Sequence, residues 1–230
     1  MQVSRNEKFI KSRARVGSYA TFGGLGVLVA GMVATFYQQY IWLSFIALLA
    51  GFLLSQVGSY HLRRWGRTPR PDQVLENALK GFDDRYHFYA WMLPAPYVLI
   101  SPQGVYSFVT RDQTGQVTVE GWQARTKMSV GKVLTAFAQE GIGQPVREAV
   151  DQAEQLTKWI KSRLPETQVT VQPVVVFIDE RVQLQVNEPA VPTMEAKGLK
   201  KWLRGAGKGE ILKGADLRAL EALFEGRANT

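Results

Sequence analysis

Two long uncharged runs dominate the pattern of apolar and polar positions. Residues 16–36 and 41–60 contain no Asp, Glu, Lys or Arg. A helix rises about 1.5 Å per residue, so a run of about 20 residues matches the ~30 Å hydrocarbon layer of a bilayer. The pattern therefore predicts two membrane-spanning helices. Tyr37-Gln38-Gln39-Tyr40 joins them, and so short a link makes them antiparallel. Its tyrosines, with Trp42 just beyond, suit the membrane interface. The first run carries Gly23, Gly24, Gly26, Ala30, Gly31 and Ala34, and the spacings Gly23 to Val27 and Gly26 to Ala30 predict close approach of a neighbouring helix. The second is bulkier, with Phe45, Leu48, Leu49 and Phe52. Two blander readings compete. A buried helical pair of a soluble protein rarely shows two such runs. A cleaved signal peptide ending near residues 30–34 leaves the second run unexplained.

Beyond the runs the period changes. Thr68-Pro69-Arg70-Pro71 reads as a linker, since proline ends a helix. Asp72 is placed to cap a short helix through Val74, Leu75, Ala78 and Leu79, stopped by Gly81. Strands are predicted over 86–92, 97–100, 105–110 and 116–120, with turns at Ser101-Pro102-Gln103-Gly104 and Asp112-Gln113-Thr114-Gly115. These four strands are expected to form an antiparallel meander. Residues 133–137 read as a loop or helix fragment. Residues 146–164 read as one helix with Val146, Ala149, Ala153, Leu156 and Ile160 on one face. Residues 169–178 read as a strand buried on both faces, 183–186 as one more strand, and 194–203 and 215–224 as closing helices. The expected fold class is α/β: one mixed sheet flanked by helices, preceded by a transmembrane helical hairpin.

Charge sharpens this layout. The formal net charge is +8 and the pI about 9.7, which would suggest nucleic acid. Residues 1–70 hold nine basic residues against Glu7, however, and the nineteen basic and nineteen acidic residues that follow cancel. The excess flanks the apolar runs as a collar of Lys8, Lys11, Arg13, Arg15, Arg63, Arg64, Arg67 and Arg70. Basic residues next to spans stay cytoplasmic. The expected protein is thus an integral, two-pass plasma-membrane protein with both termini and the soluble domain in the cytoplasm. Its segments are a basic cytoplasmic N-terminus at 1–15, two spans within 16–62, a linker at 63–71, a domain at 72–225 and a tail at 226–230. The lipid bilayer is the first expected partner, and the collar suits anionic lipid.

Several motifs then resemble a known family. These are Ser101-Pro102-Gln103-Gly104-Val105-Tyr106-Ser107-Phe108, Thr114-Gly115-Gln116-Val117, Trp122, Gln144-Pro145-Val146 and Val175-Val176-Phe177. In order and spacing they resemble the NERD (nuclease-related) domain over roughly residues 72–225. The resemblance implies a restriction-endonuclease-like fold. It also implies a metal-binding Asp, a Glu-x-Lys strand and a Gln at a helix start. In this chain those positions hold Pro96, Val109, Arg111 and Glu148, with Asp72 standing for an acidic residue of the first helix. Mg²⁺ demands oxygen ligands, which proline and valine side chains lack. Arginine stays protonated and cannot activate water. The resemblance therefore implies a nuclease-related domain without its usual chemistry, a binding or scaffold module.

The alternative is a membrane-tethered nuclease holding Mg²⁺ through relocated acids, Asp112, Glu120 and Glu148. Plainer roles for them are a capped turn, an exposed strand end and a favourable first helical turn. A second alternative is a structural, self-associating membrane protein. No resident cofactor is expected. The absence of cysteine excludes disulfides and thiolate metal sites, and His61 and His87 are too few for a histidine-rich zinc site. His87 reads as a packed strand residue. Gly205-Ala206-Gly207-Lys208-Gly209 resembles half a phosphate loop but lacks its first Gly and its Ser or Thr. Lys197, Lys200, Lys201, Arg204, Lys208 and Lys213 are candidates to touch nucleic acid, a protein partner or lipid; as a solvated face they would leave Leu199, Trp202 and Leu203 turned inward. A homo-oligomer is the remaining partner considered.

Overall fold

A computed structural model describes residues 1–126, 142–206, 212 and 214–228. The chain divides into two compact units, Met1–Asn6 with Pro71–Thr230, and Glu7–Arg70.

The second unit is a helical hairpin. Helix α1 spans Glu7–Ala34 and α2 spans Ile41–His61, joined through a short 3₁₀ turn at Gln38–Tyr40. Both are long and apolar enough to cross a membrane, and only 17% of each apolar window is buried within the protein. Within this chain the pair is not buried: Phe22, Phe36, Phe45, Leu49 and Phe52 all face outward. Helix α1 begins well before the uncharged run, because Lys8, Lys11, Arg13 and Arg15 are good helix formers and nothing interrupts them. The contact between the helices corrects the predicted spacing. Gly17, Gly24 and Gly31 meet Ser44, Gly51 and Gly58, each set seven residues apart. A heptad seam keeps one line of small residues facing the partner helix along its whole length. A Cβ on Gly24 would lie 2.9 Å from the Ser55 backbone nitrogen, whereas one on Gly23 or Gly26 would meet nothing within 4 Å. Gly23 and Gly26 therefore face away from the seam.

The first unit is α/β. Its main sheet has six strands in the order β1 (Gln2–Arg5), β2 (His87–Ala90), β3 (Tyr97–Ser101), β4 (Gly104–Arg111), β7 (Val171–Phe177) and β9 (Thr193–Glu195). Strands β2, β3 and β4 form the expected antiparallel meander, while β1, β7 and β9 pair in parallel. The sheet is mixed and flanked by helices. Helices α3 (Pro71–Leu79) and α5 (Ala196–Ala206) cover one face, where Leu75, Leu79, Leu199 and Leu203 meet Phe88, Tyr106 and Phe108. Helices α4 (Pro145–Lys161) and α6 (Gly214–Ala228) cover the other, with Leu156, Ile160, Leu220 and Phe224 against Tyr89, Val98 and Ile100.

Two expectations fail here. The meander does not continue into 116–120. Strand β5 (Gly115–Gly121) leaves for a second sheet, between β6 (Gln123–Thr126) and β8 (Val182–Pro189). The turn residues Asp112 to Thr114 lead across rather than back, and the Gly115 N–H donates to the Arg181 carbonyl (3.1 Å). The segment read as a basic N-terminus at 1–15 is divided between the two units. Gln2–Arg5 is an edge strand of the domain that otherwise begins at Pro71, and the N–H groups of Gln2 and Asn6 donate to the carbonyls of Tyr86 and Ala90 (2.9 and 3.1 Å). The predicted fragment at 133–137 lies outside the described residues.

Candidate functional site

Three of the positions that the family resemblance singles out, Val109, Arg111 and Glu148, lie around the end of β4 and the start of α4. Pro145 opens α4, where its missing N–H costs nothing. Val146 and Ala149 then bury against Val109, Val175 and Phe177, which seats the first turn of the helix beside the end of β4. Arg111 closes that strand, opposite Phe177. Its guanidinium donates from Nε to the Ile142 carbonyl (3.1 Å), from Nη1 to the Thr110 carbonyl (3.0 Å), and from Nη2 to Glu148 Oε2. Glu148 Oε1 accepts a further bond from Gln152 Nε2 (3.1 Å). The Arg111 side chain is 16% exposed and that of Glu148 39%, so the pair is partly shielded from water.

Two of the singled-out residues thus come together, and as an ion pair. The others supply no ligand there. Val109 is 2% exposed inside an apolar cluster. The carbonyl of Pro96 accepts the Trp91 N–H (2.7 Å), closing the turn before β3. Of the alternative acids, Glu148 is the one paired with Arg111. Glu120 is exposed in the second sheet, opposite Gln123 and Asn187. Among the described residues no three His, Cys, Asp or Glu side chains are grouped so as to hold a metal ion. Asp72 is not the cap of α3, since the helix already begins at Pro71. It is 1% exposed, and its carboxylate lies 3.6 Å from the Arg5 guanidinium, which also pairs with Glu76.

Among the described residues of the basic stretch, Lys197, Lys200 and Arg204 also contact the fold. Lys197 pairs with Glu195, and Lys200 donates to the Lys80 carbonyl. Lys200 and Arg204 each sit 5.8 Å from the ring centre of Phe82. Lys201 is exposed, while Leu199 and Leu203 are buried and Trp202 packs edge-on to Tyr106 (5.7 Å), as expected. Gly205 and Ala206 end α5; Gly207, Lys208, Gly209 and Lys213 lie outside the described residues. His87 is a packed strand residue. Its Nε2 is 2.8 Å from the Asp84 carbonyl and 3.5 Å from Glu221. Beside it Tyr89 is 1% exposed, and its hydroxyl has no hydrogen-bond partner among the described residues. Burial, reinforced by Glu225 and Glu221, pushes that hydroxyl's pKa above the ordinary tyrosine range.

The collar splits in the same way. Lys8, Lys11, Arg13 and Arg15 are exposed, whereas Arg63, Arg64, Arg67 and Arg70 are half-buried, Arg70 lying 3.5 Å from Glu7. An aromatic cluster missed by sequence reasoning joins the two ends of the hairpin. Trp65 packs against Phe9 (6.1 Å), Tyr60 (6.0 Å) and His61 (5.0 Å), with Arg13 over Phe9 and Arg64 over Trp65. Trp65 lying among arginines just past a span was the available signal.

The geometry defines an α/β domain with a mixed sheet, joined to a pair of apolar helices of membrane-spanning length. The chain matches no protein-family model, no curated protein and no solved structure.

Proposed function

We propose that the α1–α2 hairpin crosses the plasma membrane twice, with the α/β domain in the cytoplasm, and that this domain is a NERD-like, nuclease-related module that binds or scaffolds without cleaving. The Arg111–Glu148 pair carries this reading. It occupies the end of the strand and the start of the helix where the family resemblance implies a lysine and a glutamine. There the cation is tied to the only nearby acid of the pattern and to two carbonyls. A carboxylate committed to a guanidinium is a poor magnesium ligand, because the metal must displace a charge-assisted bond. The exposed cations at the base of α1 and the aromatic cluster beside Trp65 support contact with an anionic bilayer surface. Lys197, Lys200, Lys201 and Arg204 remain the surface proposed for a nucleic-acid or protein partner.

The test uses the full-length chain in lipid nanodiscs, incubated with DNA and RNA in Mg²⁺ or Mn²⁺. No cleavage is expected. Cleavage abolished by Glu148→Ala or Glu120→Ala would overturn the reading in favour of a nuclease with relocated acids.

A further inference from the structure

The segment before the first long helix and the segment after the second belong to one folded unit. Strand β1 pairs with β2 in register, Gln2 with His87 through Arg5 with Ala90. Val3 packs against the cluster that contains Phe88, Leu75 and Leu79. Arg5 then reaches α3, the first element after the hairpin, where it meets Asp72 and Glu76. Asp72 is 1% exposed, and a carboxylate so deeply buried needs a partner for its charge. Arg5 meets part of that need from the far side of the hairpin in sequence. The chain therefore leaves the α/β domain at Asn6, runs through both long helices, and re-enters at Pro71.

We infer that the hairpin is an insertion within the α/β domain, and that β1 with Arg5 forms a second, noncovalent tether between residues 71–230 and the membrane. The tether rests on the reading that the hairpin spans the bilayer. Two consequences follow from connectivity alone. Residues 2–5 and residues 71–230 must lie on the same side of the membrane, because strands paired in one sheet cannot be separated by a bilayer. A single cut between α2 and α3 also leaves the domain held through β1.

The experiment places a specific protease site between Thr68 and Pro69 of the full-length chain in native membranes. After cleavage, fragment 69–230 is expected to stay in the membrane pellet at high salt. With Ser4→Pro, which removes the ladder donor that the two-residue period places between those of Gln2 and Asn6, the fragment is expected in the supernatant. Release of the wild-type fragment, or equal retention of the Ser4→Pro fragment, would overturn the tether. Hydrogen exchange on the uncleaved chain guards against a variant that misfolds. Amides of Gln2, Ser4 and Asn6, which face β2, should be protected like those of β2, and their exchange at free-peptide rates would overturn the insertion whatever the variant does. Alkaline extraction separates this from the membrane reading. If the uncleaved chain is itself extracted, the spanning reading fails, and hydrogen exchange still decides whether β1 belongs to the domain.

Discussion

Arg111 and Tyr89 show how differently two polar groups within the fold can act. Arg111 is bonded along its whole guanidinium, so removing Glu148 strips away one of several partners. Because the pair is partly exposed, Glu148→Ala should cost only about 1–2 kcal/mol, less than a fully buried pair would. A lowered thermal midpoint of the detergent-solubilised chain, with secondary structure unchanged, is the expected outcome. Tyr89 is the opposite case, a buried hydroxyl without a hydrogen-bond partner among the described residues. Tyr89→Phe should leave stability unchanged or raise it by up to about 1 kcal/mol. The sign of its pH dependence follows from its raised pKa. The folded state favours the neutral phenol, so this group's contribution is intact below the ordinary tyrosine pKa of about 10 and is lost as pH rises beyond it. Burial raises the Tyr106 pKa in the same direction. Thermal unfolding followed from neutral to strongly alkaline pH should show a shallower alkaline loss in Tyr89→Phe than in the wild type.

Among the elements, the hairpin seam makes the sharpest demand on sequence. A Cβ on Gly58 would lie 2.2 Å from Thr21 Oγ1 and 2.6 Å from its backbone nitrogen. Gly58→Ala must therefore push the helices apart, at a cost of about 1–3 kcal/mol. Gly23→Ala and Gly26→Ala should be neutral or slightly stabilising, since they enter open space and alanine favours helix. Thermal midpoints of the three variants in one detergent would check the order. The same seam marks what was legible in the chain. The long runs, the apolar face of α4 and the buried run of β7 follow from local pattern, because each element buries several residues at its own period. The face of α1 that meets α2 was misassigned because nearly every position there is apolar or small, and periodicity no longer distinguishes faces. Strand β1 was hidden for a different reason. It is four residues long with one valine, and its pairing residues come 85 positions later. Strand β5 shows a third limit: its alternating pattern predicts a strand but not which sheet receives it. At the candidate site the identities Val109, Arg111 and Glu148 were legible; the ion pair between the last two was not, since it depends on how α4 docks beside β4.

For the whole molecule, charge and connectivity lead to the same arrangement. The excess of +8 lies within residues 1–70, and the residues that follow are neutral overall. A basic pI therefore reports the surroundings of two apolar helices more than affinity for nucleic acid. Binding of the full chain to nucleic acid should accordingly be weak and should vanish at moderate salt, in contrast to a protein with many phosphate contacts, and a salt titration of an electrophoretic shift would check it. Sheet pairing independently requires residues 2–5 to lie beside the domain that begins at Pro71. The lack of cysteine allows a direct test, because single cysteines introduced at Asn6, Gln38 and Lys161 report without background. In sealed right-side-out vesicles a membrane-impermeant maleimide should label Gln38→Cys alone, and inverted vesicles should expose Asn6→Cys and Lys161→Cys together. Labelling of Gln38→Cys from the same side as Lys161→Cys, or of Asn6→Cys from the side opposite to it, would contradict a two-span hairpin inserted in a cytoplasmic α/β domain.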